Sequence, residues 1–274
     1  MTLEPIQYLL GAGSGGIVGF TLGLVGGGGS ILAVPLMVYL VGVSNPHVAI
    51  GTSALAVAAN AATGLVAHAR AGAVKWRCGV IFASAGIAGA LAGSTAGKAF
   101  DGQRLLFLFA IVMVIVGVLM LRRRSDTGNA DAECNRENAP KVLGYGLGTG
   151  LVSGFFGIGG GFLVVPGLVG STGMPMLNAI GTSLVAVTAF GLTTAVNYAL
   201  SGLVDWPLAG VFIGGGILGG AAGARVAKRL SGTTGRLTTV FAVIIFVVAA
   251  YMLWKSAGAP LLGPLAGPAG NSTQ

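Results

Sequence analysis

The chain has 274 residues, 54% of them hydrophobic and only 8% charged, with a formal net charge of +8 and a mean hydropathy of +0.88. Soluble domains carry about 25% charged residues, so this composition excludes a soluble enzyme or binding module and indicates an integral membrane protein. The positive balance does not indicate a nucleic-acid partner, because the basic residues lie in short loops between apolar runs, where membrane topology puts them.

Taken from the start, MTLEPIQYLL has Glu4 and no basic residue before its apolar run, so it does not read as a cleaved secretory signal. Ten apolar segments follow, at residues 6–25, 31–43, 48–70, 79–100, 105–121, 142–156, 162–169, 179–200, 207–228 and 237–254. A membrane-spanning helix needs about 20 apolar residues. The third, fourth, eighth, ninth and tenth segments meet that length and the fifth nearly does. The second, sixth and seventh are too short for an upright span. They are expected to be half-helices or re-entrant hairpins.

The short segments flank two glycine-rich stretches, GLVGGGGSILAVP at residues 23–35 and GFFGIGGGFLVVP at residues 154–166. Aligned without gaps, Gly23, Gly26, Gly28, Gly29 and Pro35 fall on Gly154, Gly157, Gly159, Gly160 and Pro166. Each glycine costs about 1 kcal/mol against alanine inside a helix, so the backbone is expected to unwind at both stretches. The correspondence continues. Gly51, Thr52 and Ser53 match Gly181, Thr182 and Ser183; Gly72 matches Gly202 and Trp76 matches Trp206; Gly89, Gly93 and Lys98 match Gly219, Gly223 and Lys228. One unit of about 130 residues is therefore duplicated, with five segments per unit. An odd number makes the halves inverted relative to each other. The expected fold is an all-α integral membrane protein of two inverted repeats, with short half-helices flanking the glycine loops. Residues 1–121 form the first repeat, 122–141 a cytoplasmic linker, 142–255 the second repeat and 256–274 a disordered external tail rich in Gly and Pro.

Charge orients this arrangement. With ten segments alternating sides, the basic residues from Arg70 to Arg77, Arg122 to Lys141 and Arg225 to Arg236 share one face, twelve in all. Lys98, Arg104 and Lys255 lie on the other. The positive-inside rule makes the first face cytoplasmic and places both termini outside, in a multi-pass protein of the cell (inner) membrane. Reading each short pair as one broken span gives a much weaker asymmetry. Cys78 and Cys134 show no paired spacing, so no disulfide framework, metal site or cofactor follows from them.

Chemistry is expected where the backbone breaks. A helix starting after each glycine loop, at Ser30-Ile31-Leu32 and Gly161-Phe162-Leu163, would offer unpaired amides and about half a positive charge to an anion. Ser30 reads as an N-cap that could also donate to a ligand oxygen. Pro35 and Pro166 lack an amide hydrogen and free the carbonyls of Ile31 and Phe162. Gly28, Gly29, Gly159, Gly160 and Gly161 are thus candidate binding residues, with Thr52, Ser53, Thr182 and Ser183 as hydroxyl donors. Those hydroxyls have an alternative partner in the carbonyl one turn back. Asn60 and Asn197 are amides at membrane depth, suited to a ligand or to joining helices. His68, Arg70 and Lys75 could form a basic cytoplasmic vestibule or anchor the interface, and His47 reads as a loop residue. Asp and Glu are absent from the long segments, so neither a carboxylate proton relay nor a cation site is indicated.

The paired glycine stretches, each followed by a proline and then by Gly-Thr-Ser, resemble the TauE/SafE family of sulfite exporter-like membrane transporters. The resemblance runs from about Gly11 to Trp254, and its motif positions are Gly26 to Ser30, Gly157 to Gly161 and the two Gly-Thr-Ser tripeptides. It implies outward movement of sulfite, an organosulfonate such as sulfoacetate, or a related small organic anion. The first stretch has Gly27 and Ser30 where the second has Ile158 and Gly161, so the half-sites are unequal. The expected function is export of a small oxyanion by a non-enzymatic transporter, driven by the membrane potential. A proton-coupled anion transporter and an accessory or sensor subunit without flux stay open. The expected partners are a small inorganic or organic anion and the lipid bilayer, and a homodimer is compatible with the sequence.

Overall fold

The computed structural model describes residues 4–122, 134, 135, 137–229 and 245–255. The expected tail at 256–274, most of the linker and the beginning of the tenth segment lie outside them. The described elements are helical. α1 spans Pro5–Val25, and a 3₁₀ helix, Gly26–Leu32, continues it into a single α-turn, α2, Ala33–Pro35, and a π-helical turn, Leu36–Leu40. Then come α3 Pro46–Arg70, α4 Trp76–Ala99, α5 Gly102–Arg122, α6 Ala139–Phe156, α7 Gly161–Thr172, α8 Met176–Ala199 and α9 Trp206–Arg229. α10, Ile245–Lys255, closes the described chain. Among the described residues, four helices are long and apolar enough to cross a membrane: Pro46–Arg70, Trp76–Ala99, Asn178–Ala199 and Trp206–Val226.

Helix starts are set by local chemistry. Asn45 precedes α3 in extended geometry, its side chain accepts from the His47 amide at 2.9 Å, and Pro46 supplies the fixed φ of a first helical residue. His47 is therefore in the first turn of α3 rather than in a loop. Asp101 Oδ1 accepts from the Gln103 and Arg104 amides at 3.1 and 3.0 Å, which starts α5. Asp205 Oδ1 accepts from Leu208 N at 3.0 Å and starts α9. These two carboxylates serve as helix caps.

Packing between the helices is written in small residues. Gly15, Gly19 and Gly23 of α1 lie against the carbonyls of Phe212, Gly216 and Gly220 of α9, so the two helices run parallel with backbones in contact. Gly146, Gly150 and Gly154 of α6 lie in the same way against the carbonyls of Phe82, Gly86 and Ala90 of α4. Each contact of the first set has its counterpart in the second, one repeat apart. The exchange is reciprocal: the first helix of each repeat packs on the fourth segment of the other. α3 and α8, which correspond, cross antiparallel, with Gly191 against Ala54 and Ala58 and Gly64 against Leu184. Two hydrogen bonds repeat the pattern. Thr52 Oγ1 accepts from the Asp205 amide at 3.0 Å, and Thr182 Oγ1 accepts from the Lys75 amide at 2.9 Å.

Three expectations are corrected here. α1 is a 21-residue helix and α6 an 18-residue one, so the elements before the glycine stretches are not half-helices; only the elements after them are short. The first glycine stretch does not unwind, because consecutive short-range hydrogen bonds carry the helix through it as a 3₁₀ segment. The chain then returns to the level at which α1 began, where Gln7 Nε2 donates to the Val41 carbonyl at 3.0 Å. Finally, Cys78 and Cys134 form a disulfide, with Cα atoms 5.3 Å apart. The cause is tertiary. α4 and α6 are parallel, so their N-terminal ends lie side by side, and the residues leading into α6 meet the first turn of α4.

Candidate functional site

The two glycine stretches take different conformations. In the first, no glycine has positive φ. Ser30 is fully buried and its Oγ donates to the Gly27 carbonyl at 3.0 Å. Ser30 therefore sits inside a continuous helix and caps no free end, and Leu32, at φ −83°, leads straight into α2. In the second, Gly157 ends α6 in the left-handed region, and its amide donates to the Gly154 carbonyl at 3.1 Å. Ile158 N donates to the Ser153 carbonyl at 3.2 Å, which completes a C-terminal cap. Gly159 and Gly160 follow at φ 65° and 68°, a conformation that disfavours any side chain, and α7 begins at Gly161.

This second turn leaves donors unused. The carbonyl of Gly160 accepts from Leu163 and Val164, both at 2.9 Å. The four amides from Gly159 to Phe162 donate no well-formed hydrogen bond to a described residue, although all four residues are buried. Successive amides at a left-handed to right-handed junction form a concave nest, the backbone geometry suited to an anion.

The stretches also meet. A Cβ placed on Gly27 would come within 2.8 Å of the Gly161 Cα, and one on Gly161 would strike the Gly27 carbonyl. Gly159 lies between Val57 of α3 and Val187 of α8, which are corresponding residues of the two repeats. The crossing of α3 and α8 and the contact of the two glycine stretches are thus one place in the molecule.

The family model described as "Sulfite exporter TauE/SafE" matches residues 11–252 of this chain. The chain belongs to that family. It is similar to a "Probable membrane transporter protein" of Xylella fastidiosa (strain 9a5c), 52% identical over 262 residues that cover 93% of this chain and 98% of the relative. It is also similar to the "Probable membrane transporter protein YunE" of Bacillus subtilis (strain 168), 25% identical over 262 residues, 88% of this chain and 95% of the relative. No solved structure matches it. This TauE/SafE protein is a multi-pass membrane transporter.

The remaining candidates of the TauE/SafE protein divide by whether their polar atoms are occupied. Ser53 Oγ donates to the Ile50 carbonyl at 3.0 Å and Ser183 Oγ to the Ile180 carbonyl at 2.7 Å, the back-bond that helical hydroxyls commonly make. Thr52 and Thr182 accept from the other repeat, as described above. Asn197 is tied into a cross-link between α8 and α4. Lys98 Nζ donates to its backbone oxygen at 3.0 Å, to its Oδ1 at 2.8 Å and to Ser201 Oγ at 2.9 Å, while Asn197 Nδ2 donates to Ser94 Oγ at 2.6 Å and Thr95 Oγ1 at 3.1 Å. Asn60 is the opposite case. It is 5% exposed and packs on Gly216, and neither end of its amide has a partner among the described residues. His68 and Lys75 are half-buried and Arg70 exposed, at the end of α3 and the start of α4.

Sequence reading missed Ser14, Ser153 and Thr194, three fully buried hydroxyls with no hydrogen-bond partner among the described residues. Nothing in their spacing separates them from serines and threonines that close onto their own helix. It also misses the Lys98 cross-link, since neither the charge of Lys98 nor its match to Lys228 shows that it meets Asn197.

Proposed function

We propose that this transporter exports a small oxyanion, such as sulfite or an organosulfonate of the sulfoacetate type, and holds it where the two glycine stretches cross. The observation that carries the reading is the run of four buried amides from Gly159 to Phe162, at the start of α7, that make no well-formed hydrogen bond to a described residue. Buried amides without acceptors are costly, and a helix N-terminus adds about half a positive charge, so an oxyanion is the natural partner. Gly159, Gly160 and Gly161 form the cradle; Gly28, Gly29 and Ser30 are its opposing wall. Asn60 contributes an amide that can turn either end to the ligand. Thr52, Ser53, Thr182, Ser183 and Asn197 belong to the site as its frame, since their polar atoms already hold protein partners. His68, Arg70 and Lys75 form the cytoplasmic vestibule that gathers anions.

The proposed topology is an inverted repeat with both termini outside. The reciprocal α1–α9 and α4–α6 contacts support it, as does the antiparallel crossing of α3 and α8, since corresponding helices of inverted halves must point opposite ways. In a cell negative inside by 100 mV, each negative charge that leaves gains about 2.3 kcal/mol, roughly a fiftyfold concentration ratio. Export then needs no coupled ion. The test is flux of sulfite, sulfoacetate and sulfate from proteoliposomes containing only this chain. Efflux should follow an imposed potential and persist without a pH gradient. Flux that ignores the potential and requires a proton gradient would overturn the driving force, and no flux of any of the three anions would overturn transport by this chain alone.

A further inference from the structure

We infer that the Ser153 hydroxyl is a ligand-binding donor beside the α7 N-terminus, and that of the two glycine stretches only the second donates to the oxyanion. The inference rests on the anion site proposed above and names a residue and an asymmetry that the site did not include.

A buried serine in a helix has an easy partner in the carbonyl one turn back. The protein uses it widely. One turn before Ser153, Thr149 Oγ1 donates to the Tyr145 carbonyl at 2.7 Å; in α7, Ser171 Oγ donates to the Leu168 carbonyl at 3.2 Å. Ser153 does not. It is fully buried and its Oγ has no partner among the described residues, although it lies in the last turn of α6. A Cβ on Gly160 would come within 2.5 Å of that Oγ, so the hydroxyl rests against the residue that caps α7. An orphaned hydroxyl and a run of orphaned amides thus converge on one small volume. Each lacks an acceptor, and one oxyanion would supply acceptors to all.

The first repeat has nothing equivalent. The residue corresponding to Ser153 is Leu22, and the Ser30 hydroxyl is closed onto the Gly27 carbonyl at 3.0 Å. Gly27 instead packs on Gly161, so the first stretch acts as a wall against the cradle. The ligand class follows from the donors. They are neutral and several, arranged around a helix end, which suits a head group with three terminal oxygens such as sulfite or a sulfonate better than a spherical halide.

The test is ligand-dependent thermal stabilisation of the purified full chain in detergent, with sodium sulfite and sodium methanesulfonate as probes and sodium chloride as control. In S153A the concentration of sulfite or methanesulfonate giving half-maximal stabilisation should rise about tenfold or more, the usual worth of a hydrogen bond to a charged group. S171A, whose hydroxyl is closed onto the Leu168 carbonyl, should leave it unchanged, and S30A should shift it less than S153A does. Without ligand, S153A should melt at or above the wild-type temperature, because an unpaired buried hydroxyl has been removed; a merely structural serine would lower it. Unchanged half-saturation in S153A, or an equal or larger effect of S30A, overturns the inference while leaving the anion site standing. A wild-type protein that responds to neither probe overturns both.

Discussion

At the scale of single residues, the decisive property is whether a buried polar atom has a partner. Asn60 and Asn197 look alike in the sequence, each one amide inside a long apolar run. Sequence fixes their depth but not their neighbours. Asn197 faces a lysine, a serine and a threonine of α4, and Asn60 faces Gly216, which offers it no partner among the described residues. An unsatisfied buried group costs about 1–3 kcal/mol, so an asparagine kept at position 60 for packing alone would be a liability. Leucine has the same branching and the same number of heavy atoms. N60L should therefore melt several degrees above the wild type without ligand and lose at least tenfold in transport kcat/KM. A variant that melts lower, with transport intact, would mean that the amide serves the resting fold and not the anion.

At the scale of elements, the two glycine stretches show how far a motif can be read. Four glycines announce that an ordinary α-helix is unfavourable, and both stretches do depart from one. They depart differently. In the second, the chain closes α6 with the paired Gly157 and Ile158 amides and then turns through two left-handed glycines, which leaves the amides of the next helix open. In the first, Gly27 stands where the second has Ile158, and Ser30 holds the Gly27 carbonyl, so the helix tightens and runs on. Propensity gives the break and not its form, because the form depends on which hydrogen bonds close around it. The Gly-Thr-Ser tripeptides were legible as paired features, but their use was not. Thr52 and Thr182 each accept a hydrogen bond from an amide of the loop that starts the fourth segment of the opposite repeat. Replacing either by valine keeps the volume and removes that acceptor. T52V and T182V should each cost about 1 kcal/mol, and by similar amounts, read as a fall in the thermal midpoint of the detergent-solubilised protein. A large loss in one and none in the other would show that the two halves do not carry the same joint.

At the scale of the whole molecule, duplication was legible because it is a pattern of the chain itself; the disulfide was not, because it follows from two parallel helices ending side by side. Charge and disulfide also make different demands on sidedness. The proposed topology puts twelve basic residues on one face, which the positive-inside rule would make cytoplasmic. The Cys78–Cys134 bridge lies on the same face, beside Arg77 and Lys75, yet disulfides persist chiefly in oxidising compartments. The two demands differ in what they constrain. Cysteines with Cα atoms 5.3 Å apart are positioned to bond whenever an oxidant reaches them and sit as two thiols when it does not, so their geometry suits either compartment. Moving a dozen cations to the wrong side has no such indifference. The prediction is accordingly that the face is cytoplasmic and that the pair is reduced in growing cells. In a background with Cys78 and Cys134 replaced by serine, a membrane-impermeant maleimide applied to sealed cells should label Gln103→Cys, in the first turn of α5, but not Ala71→Cys, between α3 and α4. Both positions are exposed, so accessibility alone does not separate them. In the unmodified protein, thiols trapped by acid quenching should number two before the membranes are exposed to air and none after oxidation. Labelling at position 71 together with a bridge already formed in the quenched cells would turn the molecule over and place the vestibule of His68, Arg70 and Lys75 on the outside.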